Sequence, residues 1–140
     1  MMRIGPIALA IVGTFTVAQV RVGRQERPEA VATSALRAIV TAQQAYASKN
    51  GGYAPTLRAL ATPCSAGELG FISPNFVHEP VFVGAYEIRL VPQDRLSFRY
   101  SDCHGYRPTA AFEAAAIPRT NAAPNTPSFG VDQNGVIWTR

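Results

Sequence analysis

Residues 28–61 read PEAVATSALRAIVTAQQAYASKNGGYAPTLRALA, and this stretch constrains the fold more than any other part of the chain. Val31, Ala35, Ile39, Ala42 and Tyr46 recur three or four apart, which draws one apolar stripe down a helix. Leu36, Val40 and Gln43 border that stripe, while Arg37, Thr41, Gln44 and Lys49 fall outside it. Pro28 falls just before or at the first turn, where a missing N–H costs least. Asn50-Gly51-Gly52 stops the helix, because glycine takes the left-handed conformation a C-terminal cap requires. Past the stop, Tyr53 is expected to pack back on the helix end. Pro55 opens a short second helix, TLRALA, that turns Leu57, Leu60 and Ala61 inward. A helix with a single apolar stripe needs a surface to bury it, and the remainder of the chain has to provide one.

That remainder reads as strands. Strand patterns begin near Val81 after an irregular stretch, 71–79. Tyr86, Ile88 and Leu90 alternate with Glu87 and Arg89, a half-buried strand. Leu96, Phe98 and Tyr100 alternate with Ser97, Arg99 and Ser101 across a turn at Pro92-Gln93-Asp94, so these two runs predict an antiparallel hairpin. Residues 110–117 form a third candidate, with Phe112, Ala114 and Ala116 on one face; its alanines could equally sustain a helical turn, and the strand setting favours β. After a loop at 118–127, residues 128–131 and 136–139 flank Asp132-Gln133-Asn134-Gly135, a hairpin turn with glycine where positive φ is needed. The expected class is α+β, a long N-terminal helix packed on an antiparallel sheet of about four strands.

Ahead of the helix, residues 4–20 carry no charge and follow Met1-Met2-Arg3. As a membrane-directed helix the run offers Ile4, Ile7, Leu9, Ile11, Val12, Phe15 and Val17, and its 17 residues sit at the short end of a span. As a secretory signal it has small residues, Thr16 and Ala18, ahead of a possible cut before Gln19. Arg21, Arg24 and Arg27 follow the run while only Arg3 precedes it, a bias that on its own keeps the C-terminal side in the cytoplasm. The two cysteines, Cys64 and Cys103, argue instead for export. The division is therefore an anchor or signal segment with a basic flank at 1–27 and a head domain at 28–140.

The pI near 9.5 raises nucleic acid as a partner, but the charge is spread. Residues 31–140 hold nine basic and seven acidic groups with no dense basic run, so no nucleic-acid partner is expected.

In order and wording the chain resembles the type IV pilin-like superfamily, including type II secretion pseudopilins. The resemblance is carried by Ala35-Leu36-Arg37-Ala38-Ile39, Thr41-Ala42-Gln43, Tyr46-Ala47-Ser48, and Gly51-Gly52-Tyr53-Ala54-Pro55-Thr56-Leu57. The 86–92 run and the closing Phe129-Gly130-Val131-Asp132-Gln133-Asn134-Gly135-Val136-Ile137 continue it. It implies a non-enzymatic subunit of a type IV pilus or type II secretion machine that assembles through its N-terminal helix. Its partners would be other pilin or pseudopilin subunits and inner-membrane assembly machinery. It implies residence in the bacterial inner membrane with the head in the periplasm, or at the cell surface after assembly. The other reading is a soluble periplasmic or secreted binding module released by cleavage near Ala18. The chain departs from the family at its start: Gly5 precedes Pro6, the fifth residue after it is Ala10, and no glutamate occurs before Glu26. A calcium site like that of major pseudopilins is not carried over, since Asp132 is the only carboxylate after Glu113.

For chemistry the chain offers little. Cys64 and Cys103, 39 apart in an exported chain, suggest a disulfide. A metal site from Cys64, Cys103, His104 and His78 is the alternative, though the spacing fits no familiar zinc pattern. Asp102-Cys103-His104 sets a carboxylate, a thiol and an imidazole in a row, but strand neighbours point to opposite faces. Glu87 and Glu113 fall at exposed strand positions, and Asn50-Gly51-Gly52 lacks the lysine and hydroxyl of a phosphate loop. No catalytic residue, metal or cofactor is expected.

Overall fold

A computed structural model describes residues 27–94 and 100–140. Helix α1 (Pro28–Asn50) runs 23 residues with Pro28 in its first turn and Glu29 beside the positive end of its dipole. Gly51 ends it at φ 79°, its N–H donating to the Ala47 carbonyl at 2.8 Å. Ala32, Ala35, Leu36, Ile39, Ala42, Gln43 and Tyr46 are buried, and Val31 and Val40 lie half-buried at the margins. The buried face is thus wider than the predicted stripe, with Leu36 and Gln43 inside it.

Gln43 is a polar residue in that core, and it is satisfied. Its side-chain oxygen accepts from the Ala54 N–H at 2.7 Å and its nitrogen donates to the Ala54 carbonyl at 2.9 Å. One amide thereby pairs both backbone groups of the segment that leaves the helix, as buried polar groups require. Helix α2 (Leu57–Ala61) follows, with Thr56 as its N-cap accepting from the Ala59 N–H. Leu57, Ala59, Leu60 and Ala61 are buried. A 3-10 turn at Pro74–Phe76 sets Phe76 inward.

The strands are β1 (Val81–Val83), β2 (Tyr86–Gln93), β3 (Ala111–Pro118), β4 (Phe129–Asp132) and β5 (Trp138–Thr139), antiparallel and in chain order across one sheet. Alternation sets the faces. Val81, Tyr86, Ile88, Phe112, Ala114, Ala116, Phe129 and Val131 are buried and share one core with α1 and α2.

The expected architecture is corrected on three counts. The sheet has five strands, because Val81–Val83 folds back on β2 through a two-residue turn, with Val83 opposite Tyr86. The predicted hairpin between 86–91 and 96–101 is not found among the described residues, where β2 pairs with β3 along its whole length, Tyr86 opposite Pro118 and Gln93 opposite Ala111. Of that predicted partner, Leu96 and Phe98 lie outside the described residues, and Tyr100 and Ser101 are not in a strand. Finally, the helix is not a long N-terminal helix laid on a sheet. It begins at Pro28, and its C-terminal half is covered by other segments: Gln43 holds Ala54, and the Tyr46 ring packs edge-on against Phe71 at 5.5 Å.

Among the described residues no helix is long and apolar enough to cross a membrane. The anchor residues Ile4, Ile7, Leu9, Ile11, Val12, Phe15 and Val17 lie outside the described residues.

Candidate functional site

Beside the C-terminal half of α1, two segments, 53–77 (which includes α2) and 100–110, are clasped together. Asp102 organises the second of them. Its Oδ1 accepts from the N–H groups of His104 and Tyr106, both at 2.9 Å, and its own N–H donates to the Tyr106 carbonyl at 2.8 Å. Gly105, at φ 84°, closes the turn. An aspartate followed three residues later by glycine is a turn-forming pattern, so this feature was readable in the sequence.

Asp102 also reaches the helix. Its Oδ2 accepts from the Tyr46 hydroxyl at 2.6 Å. Burial, the hydrogen bond and the Asp102 charge together push the Tyr46 phenol far above its ordinary value of 10.0. Tyr86 is shifted the same way by burial and then by the charge of Glu29. Both phenols are therefore neutral hydrogen-bond donors, Tyr86 to the Pro127 carbonyl at 3.0 Å.

Three ties fasten the two segments to each other. Tyr53 and Thr109 exchange a pair of backbone hydrogen bonds, each 2.8 Å. A His104 ring nitrogen, Nε2, lies 2.8 Å from the Pro63 carbonyl. Cys64 and Cys103 form a disulfide with Cα atoms 5.6 Å apart. Both cysteines and His104 are exposed, and the two sulfurs and a ring nitrogen of His104 lie within 4.8 Å of one another. His78 is not in this group; it lines a separate groove with Arg58 and Tyr106. Sulfurs bonded to each other are neither nucleophiles nor metal ligands as they stand.

Next to the clasp, Leu69 stands 93% exposed on the rim of a groove of about 590 Å³ lined by Pro63, Phe71, Ile72 and Val77 among others. Across the molecule, the outer face of the sheet carries Phe82, Val91 and Trp138. Arg119 lies over the Phe82 ring at 4.1 Å and Arg140 over Trp138 at 5.9 Å. The two strand carboxylates do not meet: Glu87 pairs with Arg89 at 2.6 Å and Glu113 with Arg140 at 2.7 Å.

Of the residues singled out in sequence, the fold brings together Cys64, Cys103, His104 and, through Asp102, Tyr46. Asp102 and Gln43 were not singled out for these roles. Compared with protein-family models, with curated proteins and with solved structures, the chain matches none.

Proposed function

We propose that this chain is a non-enzymatic, exported structural subunit, similar in role to pilins and type II secretion pseudopilins, that assembles through its N-terminal helix. One observation carries the reading: the uncharged run 4–20 stands directly ahead of a head whose two cysteines are joined. A run without charge is at home in lipid. A cystine on an exposed loop belongs to an oxidising compartment such as the periplasm. The driving step is transfer of the apolar helix from lipid into a bundle of like helices, where close packing replaces lipid contacts. Partners are further copies or sister subunits and the inner-membrane machinery that assembles them.

Fractionation and the mature N-terminus test this together. The chain should stay with membranes through a high-salt wash and leave them only in detergent, with residues 4–17 still present by mass spectrometry. A fully soluble mature protein beginning at Gln19 would sink the assembly role. That result would favour a secreted module binding a partner through the outer sheet face, where Phe82 and Val91 stand open to solvent.

A further inference from the structure

Tyr46–Asp102 holds the 100–110 segment to α1, and three ties join the two clasped segments to each other, one of which is the disulfide. Opening it leaves the Tyr46–Asp102 hydrogen bond, the Tyr53–Thr109 pair and the His104–Pro63 contact in place. Cys64, Cys103 and His104 would therefore stay neighbours after reduction. A carbonyl oxygen can only accept, so at Pro63 it is His104 Nε2 that carries the hydrogen. In the neutral ring the lone pair is then on Nδ1. A ring N–H given to a backbone carbonyl is the arrangement that fixes a metal-binding histidine in one tautomer.

We propose that this clasp is a redox-gated metal site: with the disulfide reduced, the Cys64 and Cys103 thiolates and His104 bind one thiophilic divalent cation of the zinc class. A dithiol reductant supplies the two electrons. It leaves as its own disulfide, and Cys64 and Cys103 become thiols. Binding zinc then releases two protons, one from each thiol, and the resulting two-thiolate, one-imidazole set is electrically neutral.

The dimensions suit the ion. Two zinc–sulfur bonds of about 2.3 Å at a tetrahedral angle separate the sulfurs by about 3.8 Å. With Cα atoms 5.6 Å apart, side-chain rotation alone provides that separation. Because all three groups are exposed, the fourth position goes to water. The oxidised protein offers only His104 and binds no such ion.

The test uses the full-length chain in detergent, reduced with a dithiol that is then removed without air. Zn2+ is titrated into reduced and oxidised protein, with Co2+ as the spectroscopic probe of tetrahedral thiolate coordination. The reduced chain should take up one equivalent, and the oxidised chain none. His104→Ala should weaken binding by roughly tenfold or more. Circular dichroism of the reduced chain before metal reports whether the clasp survives opening. The proposal is overturned if the reduced chain binds no more zinc than the oxidised one, or if His104→Ala binds as well as the parent. It also fails if the reduced chain in urea binds as tightly as in buffer, since an unfolded dithiol would then explain the uptake. Reduction that unfolds the chain without zinc refolding it counts against it equally.

Discussion

Two side chains on α1, Gln43 and Tyr46, tie the helix to segments that follow it in sequence. Both lie on the buried face, and each spends its polar group on a defined partner, Ala54 and Asp102. A hydrogen bond to a charged acceptor contributes about 1.5–3 kcal/mol, so Tyr46→Phe should destabilise by that amount at pH 7, read by urea unfolding. The pH dependence has a definite sign. Tyr46 and Tyr86 have folded pKa values raised above 10.0, so their contribution is complete below pH 10.0. It is lost as pH climbs above that value, where the unfolded chain gives up protons that the folded chain retains. Each such group can contribute a slope of at most about 1.4 kcal/mol per pH unit. Tyr46→Phe removes one of them, and the decline between pH 10 and 11 should become shallower. Identical slopes in parent and variant would refute the assignment.

At the scale of elements, alternation identified the buried face of a strand and failed where its partner had to be chosen. Phe112, Ala114 and Ala116 read correctly as one buried face because a period of two fixes the face whatever the partner. The partner of β2 did not follow from pattern. A short turn to 96–101 is the cheaper loop, yet β3 carries the buried alanines that sit opposite Ile88 and Leu90. Pro92 agrees with this choice. Phe112 stands opposite it and sends its N–H to Gln133 Oε1 at 3.4 Å, outside the β2–β3 ladder, so the missing Pro92 N–H costs that ladder nothing. The closing hairpin was readable from Asp132 to Gly135, and its contact was not. A Cβ on Gly130 would come within 2.5 Å of the Trp138 ring, which lies over it. Gly130→Ala should therefore dislodge Trp138, moving its fluorescence to longer wavelength and costing about 1–3 kcal/mol. Because Trp138 is the only tryptophan, unchanged emission would be a plain contradiction.

Over the whole molecule, the sheet and α1 hold one end of the core, and the clasped segments 53–77 and 100–110 cover the other. The pairing of Cys64 with Cys103 was legible because a chain with two cysteines has one way to join them. The noncovalent ties were not, since Tyr46–Asp102 and Tyr53–Thr109 each span 56 residues and have no local signature. Those ties determine what the disulfide does energetically. If the clasp is already built by hydrogen bonds, the covalent link acts mainly on the unfolded chain. Closing a loop across a separation of 39 residues then contributes about 4 kcal/mol on the chain-entropy account. That is a large share of the roughly 5–15 kcal/mol that a domain has in all. The double variant Cys64→Ser with Cys103→Ser should therefore unfold at markedly lower urea. Its m-value should rise, because an unlinked denatured chain exposes more surface. Its native circular dichroism should match the parent's, as both cysteines are exposed and leave no cavity behind. A native spectrum that changes with an unaltered m-value would mean the opposite, that the disulfide builds the clasp, and it would remove the footing of the redox-gated site as well.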